Sequence, residues 1–452
     1  MQNNGDTMKK LLVVLLSLGL IVAFGMTASA QTGVKFSGQY YLLNGVYEDN
    51  RAWGNAYSRA FMWTRTKGQM EFNVAQGLSF TPRFDAFEKQ WGSVNRSAST
   101  TEDKSNSGKV NSLAVTLQEN IEMAHGFVTF MTAIGKFDVG YQAADEWGTV
   151  FGDIPGSRPR AKYTGAFGPL NVIAIYEKVY EADTAMYTST PSGLTSADSD
   201  RYWLAGIFNW KGGNAGLLYM YTDTQRERPP TANRKTQFHT LAPYFKGTFG
   251  PVYVEGELIY LTGKAFKYES PATTADLDKD GLGAYIMARM NLGSMYVGGQ
   301  FGYSSGDPND TSRDKSGPVS ATTWTPALIF GNANLRSWVY GSHQGTGTAG
   351  GQYSTDKQNL VLYNIFGGFN VTPKFNVEAA FSFMQANKAP TGYVSKDYGY
   401  EADIKATYKI YDNLSYMVGA GYLWTGDYFK GKSATNKVGN DYLLMNQMTL
   451  NF

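Results

Sequence analysis

The 452-residue chain has no cysteine and only three histidines. The first absence excludes a disulfide scaffold, a thiol nucleophile, an iron–sulfur cluster and covalently attached haem. The second leaves little room for acid–base catalysis: His125, His239 and His343 are far apart, and none stands in a Ser-His or His-x-x-x-His arrangement. Abundant serine and aspartate do not make a hydrolase without a positioned base. No metal or cofactor is expected, because ligand spacings are missing and Gly345-Thr-Gly-Thr-Ala-Gly-Gly351 lacks the lysine of a phosphate-binding loop. An excess of one charge is also missing, with 40 basic against 38 acidic residues, so nothing points to nucleic acid. Beyond residue 26 no apolar run is long enough for a transmembrane helix.

Residues 1–30 read as an export signal with an upstream extension, Met1 to Thr7. Met8-Lys9-Lys10 supplies the positive region, Leu11 to Met26 the apolar region, and Ala28-Ser29-Ala30 a cleavage site before Gln31. The sixteen apolar residues fall short of the roughly 20 that cross hydrocarbon as a helix. Removing this segment leaves 38 basic and 37 acidic residues, a net charge of +1, on a single domain spanning 31–452.

What the chain has in plenty is glycine (51) and tyrosine (31), a composition of many turns and short strands. A soluble multi-domain β protein would share that composition, so the order of turns decides. Eight tight turns, among them Phe167-Gly-Pro169, Lys211-Gly-Gly-Asn214, Phe249-Gly-Pro251 and Tyr411-Asp-Asn413, alternate with nine longer polar stretches, including 143–157, 181–200, 304–357 and 425–441. Seventeen connections predict an all-β, antiparallel up-and-down barrel of about 18 strands (16–20 bracket the count), with both termini on the short-turn rim. Alternation supports it. Tyr398, Tyr400, Ala402, Ile404, Ala406, Tyr408 and Ile410 are expected on one face, with Glu401, Asp403, Lys405 and Lys409 opposite, where only a wet interior would tolerate them. Leu78, Phe80, Pro82 and Phe84 likewise oppose Ser79, Thr81, Arg83 and Asp85, whereas Asn171–Tyr180 declares no face.

The last strand carries the most specific pattern. Tyr442, Leu444, Met448, Leu450 and Phe452 form an apolar row broken by Asn446, with Gln447, Thr449 and Asn451 opposite. This resembles the closing strand of a bacterial outer-membrane barrel, and the mature chain as a whole resembles the Gram-negative porins. The resemblance implies a location in the outer membrane and recognition of the last strand, through Tyr442, Leu450 and Phe452, by the barrel-insertion machinery. It also implies passive diffusion of small polar or charged solutes and, as a further assembly, a homotrimer. A barrel of this size leaves an aqueous channel.

Within that likeness, Trp147-Gly-Thr-Val-Phe-Gly-Asp153 is similar to the Phe-Gly loop that porins fold into the lumen, although a plain surface loop fits the same residues. Arg158, Arg160 and Lys162 share one strand face, and Arg65, Lys67 and Arg83 lie on nearby strands. Glu255, Glu257 and Glu378 would face inward elsewhere, and Asp145, Glu146 and Asp153 sit in the loop. Opposed in this way, the charges would set a transverse field across a constriction; paired, they would simply support the wall. The longest loop, 304–357, contains Trp324, Phe330 and Trp338 and could cover the mouth, enter the lumen, or add a hairpin through Ala327–Tyr340. The main alternative to a channel is a conduit barrel sheathing a partner such as a multihaem cytochrome; an outer-membrane hydrolase is third.

Overall fold

A computed structural model describes residues 33–50, 57–91, 121–154, 156–181, 198–225, 234–269, 274–307, 313–318, 323–332 and 359–452. The export signal and Trp338 lie outside the described residues. Among those residues, eighteen antiparallel strands form one sheet: β1 (Gly33–Asp49), β2 (Tyr57–Ala75), β3 (Leu78–Gln90), β4 (Glu122–Thr132), β5 (Gly135–Ala144), β6 (Gly156–Phe167), β7 (Leu170–Tyr180), β8 (Ser199–Trp210) and β9 (Gly213–Thr224). β10 (Arg234–Phe249), β11 (Val252–Tyr268), β12 (Leu277–Leu292), β13 (Met295–Ser304), β14 (Leu360–Thr372), β15 (Phe375–Gln385), β16 (Asp397–Tyr411), β17 (Leu414–Thr425) and β18 (Asp441–Asn451) complete it. β18 pairs back onto β1, Leu42 facing Met448 and Val46 facing Leu444, so the sheet closes and has no free edge. A two-residue strand, Arg313–Asp314, runs parallel to β12 inside the longest connection.

The eight short turns fall where their residues predict, each leaving two residues between strands. The two Phe-Gly-Pro turns show why: Gly168 and Gly250 adopt φ of 61° and 60°, a region costly for any residue with a Cβ. The twenty-strand alternative is ruled out by pairing, because Ser304 at the end of β13 faces Leu360 at the start of β14 and leaves no gap for another hairpin.

The outer wall is apolar. Leu204, Ile365, Ile404 and Leu444 expose 56, 66, 53 and 56% of their surface, which suits hydrocarbon rather than water. One expectation needs correction. Tyr398 is not on this outer face: the register slips between Met384 and Gln385, Gly399 takes φ 118°, and Tyr398 turns inward to lie 4.4 Å from the Tyr428 ring, fully buried. From Tyr400 onward the alternation holds, with Ile404 outside and Glu401 and Asp403 inside. The inner wall carries apolar residues too: Leu362, Met384, Leu423 and Leu443 are fully buried, so something packs on them from within.

The seam is held by the terminal residue. Phe452 exchanges backbone hydrogen bonds with Gly38 at 2.6 and 3.0 Å, and its ring lies 5.4 Å from Phe36. Removing Phe452 is expected to reduce the fraction of chain that migrates as a folded barrel on unheated detergent gels. Undiminished folded protein would show that β18 closes without it.

Candidate channel and its constriction

Among the described residues, two connections reach across the interior to hydrogen-bond the barrel wall, and the one after β17 adds Tyr428 and Phe429, buried against the inward-turned Tyr398. The first is the one between β5 and β6. Thr149 donates both its backbone N–H and its hydroxyl to Glu257 on β11, at 2.8 and 2.7 Å, and the Trp147 indole donates to the Ala242 carbonyl on β10 at 2.8 Å. Lys246 Nζ donates to the Gly148 carbonyl at 2.8 Å. Gly148 is required here: φ is 66°, and a Cβ would sit 2.8 Å from the Tyr244 ring. Phe151 is fully buried, stacked 5.2 Å from Tyr285 and edge-on to Trp324 at 5.1 Å. Burial of such a ring stabilises the docked loop by roughly 1.5–3 kcal/mol.

Trp324 belongs to the second inward segment, residues 323–332 of the longest connection. Thr323 N donates to the Asp153 carbonyl at 3.0 Å, joining the two segments end to end. From there the second segment follows the wall. Trp324 Nε1 donates to Gln300 Oε1 on β13 at 2.8 Å, and Asn364 Nδ2 on β14 donates to the Pro326 carbonyl at 3.3 Å. The Leu328, Ile329 and Phe330 amides reach Asp403 and Glu401 on β16. Its Trp324, Ile329 and Phe330 share one buried apolar cluster with the inner leucines of β14, β17 and β18, and Tyr428 and Phe429 join the same cluster. Most polar contacts of the two segments with the barrel wall fall on β10, β11, β13, β14 and β16, and Asp145 at the start of the first segment reaches the opposite arc, at Arg158 on β6 and Arg201 on β8.

The basic residues lie on the remaining arc, in two groups. In the first, Arg65 and Arg83 both pair with buried Asp85, Arg83 at 3.3 Å, Lys67 faces Asp85 across the sheet, and His125 faces Arg83. The second is built around Glu177 on β7, which is fully buried. Arg160 Nε lies 2.9 Å from it, and Arg158 Nε and Arg201 Nη1 both lie 3.3 Å away. Asp145 completes this network, 3.1 Å from Arg158 and 2.7 Å from Arg201. Arg160 is itself buried, over the Trp203 ring at 4.8 Å, so it does not face open water as its spacing suggests. Lys162, on the same face, lies opposite Asp138. Glu177 and Arg201 escape a reading of the sequence because β7 is apolar on both faces around Ile173 and Ile175. The lone carboxylate in that run is itself the mark of the inner side.

The expected acids are inside but occupied. Glu257 holds Thr149, Glu255 accepts from Tyr253 and Tyr285 at 2.7 and 2.8 Å, and Glu378 accepts from Tyr296 at 2.6 Å and pairs with Lys405 at 2.7 Å. Glu146 is exposed on the loop, and Asp153 accepts from the Trp147 amide at 2.7 Å. Burial pushes the Asp153 carboxyl up to about 6, aided by Glu146, while the Trp147 amide and Lys246 oppose the shift. With its value raised in the folded loop, Asp153 favours docking below the ordinary carboxylate range, and that contribution is lost as pH rises through about 6. The same rise adds a negative charge beside the lumen. Anion preference is therefore expected to fall between pH 5 and 7.5, and Asp153→Asn to abolish the step in reversal potential. A step that survives in the variant belongs to another group.

The closed 18-strand sheet with inward connections is the fold of the outer-membrane channels. No protein-family model and no curated protein matches the chain. Among solved structures, Pseudomonas aeruginosa OccK2 (OpdF) in complex with glucuronate aligns with 94% of this chain and 100% of its own at a TM-score of 0.51 and 9% identity. Pseudomonas aeruginosa OpdQ aligns with 93% of this chain and 97% of its own, at 0.50 and 10%. An anion-selective porin from Comamonas acidovorans covers 93% of this chain and 100% of its own, at 0.46 and 10%.

Proposed function

We propose that the protein is an outer-membrane channel for passive diffusion of small polar solutes, with a preference for anions. One observation carries this reading: the inward segments spend the wall carboxylates Glu257, Glu401 and Asp403 on docking, while Arg65, Lys67, Arg83, Arg158 and Lys162 gather on β2, β3 and β6, with Asp145 of the first segment reaching over to Arg158 and Arg201. Arg65, Lys67 and Arg83 cluster around Asp85 there, and a low-dielectric wall concentrates anions near a basic surface. A transverse field between opposed ladders is replaced in this reading by one basic wall facing a neutralised one. Against a conduit for a cytochrome stands the occupation of the lumen by residues 145–154 and 323–332.

Export through residues 1–30 and recognition of β18 by insertion machinery, through Tyr442, Leu450 and Phe452, belong to the same reading. For a homotrimer the support is on the outer wall, where Asn44 Nδ2 donates to Asn446 Oδ1 at 3.0 Å within an apolar band. An amide pair in that band favours contact with another protein surface over contact with lipid. Purified protein in planar bilayers under a potassium chloride gradient tests the function. Open-channel currents with an anion-side reversal potential are expected; a silent barrel, or one purified with stoichiometric haem, would sink it.

A further inference from the structure

Glu401 and Asp403 are lumenal acids that hold backbone, not cations. Ile329 N donates to Glu401 Oε1 at 2.6 Å, Phe330 N to Oε2 at 2.8 Å and Leu328 N to Asp403 Oδ2 at 3.2 Å. Three consecutive amides thus converge on two neighbouring carboxylates, the arrangement in which backbone groups bind an anion. Glu401 is fully buried, and Ile329 and Phe330 expose 2 and 3% of their surface. The nearby cation, Lys405, is paired with Glu378. On the far side, β17 makes room with Gly421, where a Cβ would lie 2.7 Å from Asp403 Oδ1 and 3.3 Å from Ile329 Cγ1.

Two opposite expectations follow for such acids in an anion channel. If they acted as wall charges, they would repel anions, and their loss would raise anion preference. If they act as a clamp, their charge is spent on amides, and their loss frees the segment. We propose that Glu401 and Asp403 are positioning residues that fix residues 323–332 as the second half of the constriction, so that two acids sustain the preference for anions. This rests on the channel reading above and names what sets its calibre. The segment shares a buried apolar cluster with Leu362, Leu423 and Leu443 and, through Thr323 and Trp324, braces the loop that carries Phe151. Its release widens the passage and weakens the influence of the basic wall on each passing ion.

The test compares wild type with E401A/D403A in planar bilayers. Larger conductance together with lower anion preference is expected; unchanged conductance with higher anion preference would overturn the clamp. A tether guards against misfolding of the variant. The chain has no cysteine, so Ile329→Cys and Gly421→Cys give one defined pair: a Cβ at 421 would lie 3.3 Å from Ile329 Cγ1, close to where the sulfur of a cysteine at 329 would sit. Placed in the E401A/D403A background, the oxidised pair is expected to restore wild-type conductance and selectivity, and reduction to remove both. Conductance indifferent to oxidation would show that the segment does not limit the passage. A wild-type protein that conducts nothing refutes the channel instead, which keeps the two failures apart.

Discussion

Deleting Gly148–Gly152 is expected to raise single-channel conductance severalfold and to weaken ion discrimination. The five residues include Thr149, which makes both bonds to Glu257, and Phe151, which stacks on Tyr285 and meets Trp324 edge-on. Without them neither the loop nor its junction with residues 323–332 has an anchor on β11 and β12. Phe151→Ala is the milder version: loss of a fully buried ring from such a site costs about 3–5 kcal/mol, which loosens the loop while its hydrogen bonds to Glu257 and Ala242 remain. Its conductance should fall between wild type and the deletion, with more frequent transitions between levels. Equal conductance in all three would place the narrowest point away from this loop.

The second large effect separates two cations that lie two residues apart. Arg160→Gln is expected to destabilise the barrel, because buried Glu177 loses its nearest partner at 2.9 Å and the ring of Trp203 loses its cation. Breaking a buried pair of this kind costs about 3–5 kcal/mol. The readout is a lower temperature at which the compact band on detergent gels converts to the unfolded one. Lys162→Gln is expected to leave that temperature unchanged and to lower anion preference instead, an effect that fades as salt shortens the screening length below about 8 Å. Replacing Arg158, Arg160 and Lys162 together would mix both outcomes, so single substitutions are the informative ones. If Lys162→Gln melts early and Arg160→Gln alters selectivity alone, the roles drawn here are reversed.

Much of the barrel was legible in the residues because its rules are local. A Phe-Gly-Pro turn needs nothing beyond its own glycine and proline, and the outer face of β15 is written in Phe375, Val377, Ala379 and Phe381. The inward segments were less legible for a physical reason: what they present to the wall is largely backbone. Glu401 binds two amides that any sequence would supply, and Pro326 is held by its carbonyl. A signal was nevertheless there. Tyr442-Leu-Leu-Met445 and Leu360-Val-Leu-Tyr363 are apolar on both faces, and a strand with a greasy inner side requires a partner inside the barrel. Gly399, which turns Tyr398 inward, marks the place where simple alternation fails.

The closing of the sheet has a kinetic consequence. Eight two-residue turns let β2 with β3, and each following pair through β16 with β17, form as hairpins from residues close in sequence. β1 and β18 have no such help, since Gln39 and Asn451 must meet across 412 positions of chain. The ten facing residue pairs of the seam can form only once the intervening strands hold the two edges in register. Closure is therefore the slow, all-or-none step of assembly. Until it occurs, the protein is an open sheet with two reactive edges, and the time it spends in that state, more than the strength of any one contact, governs how much of it reaches the barrel rather than aggregating.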